Sequence, residues 1–202
     1  MSSIHFGIFS KREEQIYLRV QQFRDKVLNP FAKALNRMGV KPDHLSYMSL
    51  GMSLPFAFMS SRNLGLALVF LALHLLFDSL DGALARLQQN APTTRGDLTD
   101  LAFDHAAFFI MVLALMSAQI IHSFWGAVYM LNYTVMLGIM IALHNLKVPY
   151  FSVIRSKNII YFVFLILVLT GMNLFEPIVL FLSIYMIITN LFLFQKLRCS
   201  LL

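Results

Sequence analysis

The sequence predicts an all-α integral membrane protein in which six transmembrane helices follow a cytoplasmic, interfacial amphipathic helix. Of its 202 residues, 58% are hydrophobic and only 13% are charged, which is too apolar for a soluble domain of this length. Several near-continuous apolar runs reach the ~18 or more residues that a membrane-spanning helix needs. The basic residues are also unevenly distributed, and this bears on the orientation of the predicted spans.

The N-terminal segment, residues 1–43, contains the pattern of a basic amphipathic helix over residues 11–38. Apolar residues recur there at steps of four and three: Ile16, Val20, Phe23, Val27, Phe31, Leu35 and Met38. Lys and Arg fill much of the remainder, so we expect the helix to lie in the lipid headgroup plane. The alternative is a helix packed on a soluble partner. Pro30 is expected to bend or split it. No cleavable signal peptide is expected, because the first ~40 residues contain no short apolar stretch of that type.

Six apolar segments follow in a single membrane domain, residues 44–202. The predicted spans cover residues 44–61, 63–86, 97–120, 124–145, 158–174 and 176–195. Little more than Arg62-Asn63 separates the first two, and a turn around Asn173 and Pro177 separates the last two. Connectors this short join antiparallel neighbours.

The positive charge indicates how the spans are oriented. With six spans, all of the 16 Lys and Arg residues except Arg62 fall on one side. The positive-inside rule then predicts that both termini and the loop between spans two and three are cytoplasmic, in a cell inner membrane or its equivalent. The net charge of +6 therefore reflects topology, and no nucleic-acid partner is expected. The single cysteine, Cys199, excludes an intrachain disulfide and is either an incidental thiol or a palmitoylation site.

Four aspartates lie at the facing ends of spans two and three. Asp78 and Asp81 are three residues apart, and Asp100 and Asp104 are four apart, so each pair shares one helix face. A mid-membrane Asp carries an insertion penalty of roughly 2.5–3.5 kcal/mol, so a positive group is expected among the four. Carboxylate-rich ligation suits hard divalent cations such as Mg²⁺, Mn²⁺ or Ca²⁺, and four charges suffice for two ions.

The residues beside these aspartates favour a diphosphate ligand. Gly82 and Ala85 permit close approach of a ligand, and the Arg86 guanidinium can bind a phosphate. Gly96 opens the third span, where free backbone N–H groups favour an anion. Two alternatives remain: Gly82 and Ala85 as a helix-packing seam, and the Asp pairs as a cation path.

The pattern Asp-x-x-Asp-Gly-x-x-Ala-Arg, a spacer, then Gly-x-x-x-Asp-x-x-x-Asp resembles the signature of the CDP-alcohol phosphotransferase (CDP-alcohol phosphatidyltransferase) family. Every fixed position is matched, by Asp78, Asp81, Gly82, Ala85, Arg86, Gly96, Asp100 and Asp104. The nine-residue spacer after Arg86 is slightly longer than usual, and Pro42-Asp43 stands where the family has Pro-Asn. The motif covers residues 78–104, and the six-span layout extends the resemblance over most of the chain.

The resemblance implies a metal-dependent transferase of phospholipid biosynthesis. It would move a substituted phosphate, phosphatidyl above all, from a CDP-linked alcohol such as CDP-diacylglycerol to an acceptor alcohol, and release CMP. Two ions, Mg²⁺ or Mn²⁺, would be held by Asp78, Asp81, Asp100 and Asp104. Asp104 would also be the general base. The CDP moiety would contact Asp78, Gly82, Ala85, Arg86 and Gly96. The expected partners are the CDP-lipid donor, a small alcohol acceptor, membrane lipid and a second copy in a homodimer.

The acceptor stays open. Lys147, Arg155 and Lys157 could form an anion pocket for glycerol 3-phosphate or an inositol phosphate, or they could be topology-setting charge beside lipid headgroups. Family members with phosphorylated acceptors often have Lys or Arg after the last motif aspartate, where this chain has His105 and Ala106. That departure weakens the case for a phosphorylated acceptor and leaves serine, another amino alcohol or a lipid alcohol open.

Two competing functions fit parts of the pattern. A divalent-cation channel or transporter could use the four aspartates as a filter, but a filter needs acidic residues at a midplane constriction and has no use for a Gly-Ala-Arg run. A catalytically dead scaffold is disfavoured because no motif position is missing. His74, one turn before Asp78, is expected to be a buried structural residue that can hydrogen-bond to it.

Overall fold

The computed structural model describes residues 24, 26–88, 94–146, 148 and 156–201 of the chain, with the backbone only for residues 94–100, 144 and 201. These residues fall into two compact units, one ending at Met111 and the other beginning at Val112. Every regular element among them is helical.

Seven helices occur in the described part of the chain. Helix α1 covers residues 26–37. The next three are α2 (Pro42–Met59), α3 (Leu64–Leu87) and α4 (Thr94–Ser117), and the last three are α5 (Ser123–Asn145), α6 (Ser156–Thr170) and α7 (Phe175–Leu201). Helices α2 to α7 coincide with the six predicted apolar segments to within a few residues, except that α7 extends further toward the C-terminus.

Helix α1 is continuous through Pro30, so the predicted split does not occur. Its buried residues are Leu28 and Ala32, whereas the predicted apolar stripe includes Val27 and Phe31, which are 52% and 61% exposed. The apolar residues of this helix therefore cover a wider part of its surface than the part that packs on other helices. Residues 11–23 of the predicted amphipathic helix lie outside the described residues, and its interfacial location stays a prediction.

Helices α1, α2 and α3 share one apolar core. Leu28 and Ala32 of α1 meet Leu45 of α2, and α3 contributes Leu80, Ala83 and Leu84. Gly39 ends α1 with a φ of 74°, a left-handed conformation that glycine adopts without strain. Pro42 at the first position and Asp43 in the first turn favour the start of α2.

Helices α2 and α3 form an antiparallel hairpin and the most extensive helix pair described in this unit. The connection is residues 60–63, and the Asn63 side chain caps α3 by accepting a hydrogen bond from the Leu66 N–H at 3.0 Å. At the far end of α3, Gln88 Nε2 donates to Asn36 Oδ1 and to the Val40 carbonyl, both at 3.0 Å. These bonds attach both ends of α3 to neighbouring segments.

The second unit is organised on α5 and α7, its most extensively packed described helix pair. Asn190 Nδ2 of α7 donates to the Asn132 carbonyl at 2.9 Å and to Asn132 Oδ1 at 3.2 Å. The Tyr129 hydroxyl donates to Ser156 Oγ at 3.0 Å, which attaches α5 to the start of α6. A Cβ at Gly126 would lie 2.7 Å from the Met116 sulfur, so a larger residue there would displace the Met116 side chain.

Three stretches in the described residues are long and apolar enough to cross a membrane: Leu64–Leu87, Ser123–Leu143 and Phe175–Ser200. Shorter apolar stretches are Leu101–Ser117 in α4 and Ser156–Thr170 in α6. Helix α2 is not among them, and it carries Ser46, Ser49 and Ser53 within its length. The six-span count therefore stays a prediction.

Candidate active site

Asp78 and Asp81 lie one turn apart in the C-terminal half of α3. Asp81 is only 7% exposed, and Asp78 is half-buried. Leu80, Ala83 and Leu84, which adjoin Asp81 in the sequence, all belong to the apolar core. An ionised carboxylate in such surroundings requires hydrogen bonds or a cation, so the burial of Asp81 points to a dedicated set of partners.

One partner of Asp81 is Ser46 of α2. The Ser46 hydroxyl donates to Asp81 Oδ2 at 2.9 Å, across the α2–α3 hairpin. Its other acceptor is the Pro42 carbonyl, at 3.5 Å. A hydroxyl has a single proton to donate, and the shorter distance together with the charged acceptor favours Asp81.

A second polar pair joins the same two helices next to Ser46. Ser49 Oγ lies 2.8 Å from His74 Nδ1, and it donates to the His74 carbonyl at 3.2 Å. His74 Nδ1 also lies 3.0 Å from the Ser49 carbonyl. His74 is 1% exposed. These contacts support the structural role expected of His74, with Ser49 as its partner.

Gly82 and Arg86 are in direct contact on α3. A Cβ at Gly82 would lie 3.2 Å from Nη1 of Arg86, so the guanidinium folds back over the glycine one turn earlier. The rest of Arg86 is exposed, and Ala85 between them is half-buried. The absence of a side chain at Gly82 therefore lets a cationic group lie beside the helix surface that carries Asp78 and Asp81.

Helix α4 reaches the same level of the hairpin through an aromatic contact. The rings of Tyr47 and Phe103 have centroids 5.0 Å apart. Tyr47 follows Ser46, and Phe103 precedes Asp104, which is half-buried. Helix α4 therefore contacts α2 at the residue next to Ser46, which donates to Asp81.

The other predicted ligands are described less fully. Gly96 and Asp100 belong to α4, but their side chains lie outside the described set. Among the side chains that are described, which include only three of the four motif aspartates, no group of three or more His, Cys, Asp or Glu is arranged to hold a metal. The metal assignment of Asp78, Asp81, Asp100 and Asp104 is therefore untested by the geometry.

The structure describes only one of the three predicted acceptor residues. Lys147 and Arg155 are outside the described residues, whereas Lys157 lies in the first turn of α6 and is half-buried. Lys157 belongs to the second unit and the Asp78–Asp81 pair to the first. The anion pocket predicted for these three residues stays a prediction.

Sequence reasoning missed the role of Ser46 and Ser49. The signal was present, since Ser46, Ser49 and Ser53 recur at steps of three and four along α2. That spacing places them on one helix face, and hydroxyls on one face of an apolar helix commonly bond to a neighbouring helix. Identifying their partners required the pairing of α2 with α3.

Comparison with known protein families identifies this chain. The model of the CDP-alcohol phosphatidyltransferase family matches residues 40–194, well over half of the chain. The matched range begins two residues before α2 and includes every position of the Asp-Gly-Arg motif. No curated protein matched the chain.

Proposed function

The chain belongs to the CDP-alcohol phosphatidyltransferase family, and from that premise we propose that it transfers a phosphatidyl group from CDP-diacylglycerol to an acceptor alcohol in phospholipid biosynthesis. The observation that carries the proposal is the arrangement on α3. There a buried Asp81, held by Ser46 at 2.9 Å, lies one residue from Gly82, over which the Arg86 guanidinium folds. Acidic groups for cations and a cationic group for phosphate thus lie side by side.

The available donors fit divalent cations. The set consists of carboxylates with an adjacent hydroxyl, which are the oxygen ligands that Mg²⁺ and Mn²⁺ prefer. Two ions would be held by Asp78, Asp81, Asp100 and Asp104. When bound, they would neutralise the diphosphate charge and stabilise the departing CMP.

Arg86 and Gly82 would bind the donor. The planar guanidinium can form two parallel hydrogen bonds to phosphate oxygens, and it lies over Gly82, the residue that follows Asp81. Ala85 and Gly96, with no bulky side chain, would leave room for the nucleotide, and Asp78 would adjoin it.

Asp104 would accept the proton of the acceptor hydroxyl. As that proton moves to the carboxylate, the acceptor oxygen forms a bond to the phosphatidyl phosphorus, and the bond from that phosphorus to the CMP oxygen breaks. CMP leaves with the bonding electrons. A positioned carboxylate that removes a proton in this way typically contributes roughly 10²–10⁴-fold in rate.

An apolar groove beside the site supports a lipid-borne donor. It has a volume of about 290 Å³ and an almost wholly apolar lining. Its walls come from α1, α2, α3 and the α1–α2 connection: Phe31, Ala34, Leu35, Val40, Leu45, Met48, Phe77 and Leu80. Leu45 and Leu80 directly precede Ser46 and Asp81, so an acyl chain in the groove would keep its headgroup near the carboxylates. The exposed Lys33 and Arg37 of α1 suit the phosphates of lipid headgroups.

The site would face the cytoplasm, where the water-soluble acceptor and the lipid surface meet. The Lys and Arg distribution supports this orientation. Lys147, Arg155 and Lys157 would favour glycerol 3-phosphate or an inositol phosphate, whereas His105 after Asp104 weakens the case for a phosphorylated acceptor and leaves serine, another amino alcohol or a lipid alcohol open. The homodimer implied by the resemblance stays a prediction.

The decisive experiment is a CMP-release assay with the purified chain, CDP-diacylglycerol and a panel of acceptors. Glycerol 3-phosphate, inositol phosphate, serine and inositol would each be tested with Mg²⁺ and Mn²⁺. We expect one acceptor to give metal-dependent CMP release that Asp81→Asn abolishes. Absence of release with every acceptor, together with divalent-cation flux into liposomes carrying the protein, would favour the channel instead.

A further inference from the structure

The hydrogen bond from Ser46 to Asp81 links the orientation of a buried carboxylate to the packing of two helices. Of the motif aspartates with described side chains, Asp81 is the most buried. A serine from a different helix donates to one of its two oxygens, Oδ2, at 2.9 Å. Because Oδ2 is engaged from α2, the rotation of the Asp81 carboxylate is set by the pairing of α2 with α3.

That pairing is itself fixed by a buried polar contact. Ser49 lies three residues after Ser46, and His74 lies seven residues before Asp81, so the two contacts follow each other along one antiparallel seam. Both residues of the contact between Ser49 and His74 are almost fully buried, Ser49 at 5% and His74 at 1% exposure. A slip of α2 along α3 would break both contacts together, and the seam therefore holds the Ser46 hydroxyl at the level of Asp81.

We propose that Ser46 is a positioning residue of the candidate active site, whose hydroxyl holds the Asp81 carboxylate in the orientation that a divalent cation requires. The inference rests on the proposed function in one respect, that Asp81 is a metal ligand. Hydrogen bonds from neighbouring groups orient ligating carboxylates, and their loss typically lowers metal affinity by roughly 10–100-fold. Ser46 does not touch the reacting atoms in this assignment and acts through Asp81.

The test uses Mn²⁺ alone, with the full chain in detergent micelles, and follows the free Mn²⁺ signal by electron paramagnetic resonance. We expect Ser46→Ala to raise the dissociation constant for Mn²⁺ by roughly tenfold. Ser46→Thr should restore it to within about twofold of wild type, because the threonine hydroxyl can adopt the same direction in a helix.

Ser53→Ala is the matched control. Ser53 lies on the same helix, is fully buried, and donates to its own helix at the Leu50 carbonyl, 2.6 Å away. Removing its hydroxyl should leave Mn²⁺ affinity unchanged. The midpoint of thermal denaturation, measured for all three variants, separates loss of fold from loss of metal affinity.

The outcomes are distinguishable from those of the transferase assay. If wild type releases CMP and Ser46→Ala keeps wild-type Mn²⁺ affinity, the positioning role is overturned and the transferase stands. If wild type releases no CMP but Mn²⁺ affinity depends on Ser46 and not on Ser53, the transferase is overturned and the positioning role stands. Absence of Mn²⁺ binding by folded wild type overturns the positioning role.

Discussion

The guanidinium of Arg86 lies so close to Gly82 that a methyl group at position 82 would be 3.2 Å from Nη1 and 3.7 Å from Nη2. The contact is tight, but the atoms concerned are at the end of a flexible side chain. A methyl group would therefore displace the guanidinium by a few tenths of an ångström and leave the helix backbone where it is. The same substitution therefore leaves the fold unchanged but shifts the guanidinium of Arg86.

Gly82→Ala should consequently separate stability from donor binding. Alanine is favoured over glycine inside a helix by about 1 kcal/mol, so the midpoint of thermal denaturation should rise or stay unchanged. Complete loss of a charge-assisted hydrogen bond costs about 1.5–3 kcal/mol. A shift of a few tenths of an ångström weakens such a bond without removing it, so the KM for CDP-diacylglycerol should rise by about threefold.

Gly51→Ala provides the control for this prediction. Gly51 lies inside α2, and a Cβ there would meet nothing within 4 Å. Gly51→Ala should gain stability in the same way and leave the KM for CDP-diacylglycerol unchanged. An unaltered KM in Gly82→Ala would show that the position of Arg86 does not matter for donor binding.

Asp104→Asn tests the proposed base. Asparagine has the same shape but cannot take up the proton of the acceptor, so CMP release should fall by at least ~100-fold. Binding of CDP-diacylglycerol, measured by equilibrium dialysis, should remain within a few-fold of wild type. Glu176→Gln, at an exposed position of the first turn of α7, removes an acid far along the chain and should keep full activity. Undiminished turnover in Asp104→Asn would exclude the role of base.

The contact between Ser49 and His74 predicts a coupled loss of stability. His74→Ala removes a fully buried side chain and its hydrogen bond, at an expected cost of about 2–4 kcal/mol in unfolding free energy. His74→Asn, whose amide can approach the position of Nδ1, should lose clearly less. Combined with Ser49→Ala in a double-mutant cycle, His74→Ala should show a coupling of about 0.5–1.5 kcal/mol, measured by unfolding in sodium dodecyl sulfate. Additive effects would indicate that the two side chains do not stabilise each other.

The helices themselves could be predicted from the sequence because their ends carry local signals. Asn63 caps α3, and Gly171, with a φ of 74°, follows the end of α6. The burial of α1 could not be predicted in the same way. Its apolar residues cover a wide sector, and the periodicity does not tell which part of it packs on protein and which remains exposed, as Phe31 does.

The placement of the described motif residues of α3 on one helix could be predicted, whereas the contacts that support them could not. The spacing of Asp78, Asp81, Gly82 and Arg86 along one helix follows from the sequence alone. The bond from Ser46 to Asp81 joins residues 35 positions apart, and it depends on the packing of two helices against each other. Nothing local to Ser46 specifies which residue of α3 lies opposite it.

The second unit has its own polar contact, between Asn132 of α5 and Asn190 of α7. Asn190 is 8% exposed, and its Nδ2 donates twice to Asn132. Its Oδ1 is buried and accepts no hydrogen bond from the residues that the structure describes. Asn190→Leu therefore removes a favourable interhelical bond and an unsatisfied oxygen at once, and these two effects oppose each other.

We expect the net effect of Asn190→Leu to be small, because interhelical hydrogen bonds in membranes contribute about 0.6 kcal/mol on average and at most about 1.7. The unfolding free energy should fall by no more than about 1 kcal/mol, and CMP release should be unchanged at temperatures where the protein is folded. The double variant Asn132→Leu/Asn190→Leu should lose less than the sum of the single variants, since neither asparagine side chain is then left without the other. Ser183→Ala is the control for loss of a polar group from α7. It removes a buried hydroxyl whose bond among the described residues is to its own helix, at the Val179 carbonyl. A loss of several kcal/mol in Asn190→Leu alone would mean that the two asparagines hold α5 and α7 together far more strongly than their geometry indicates.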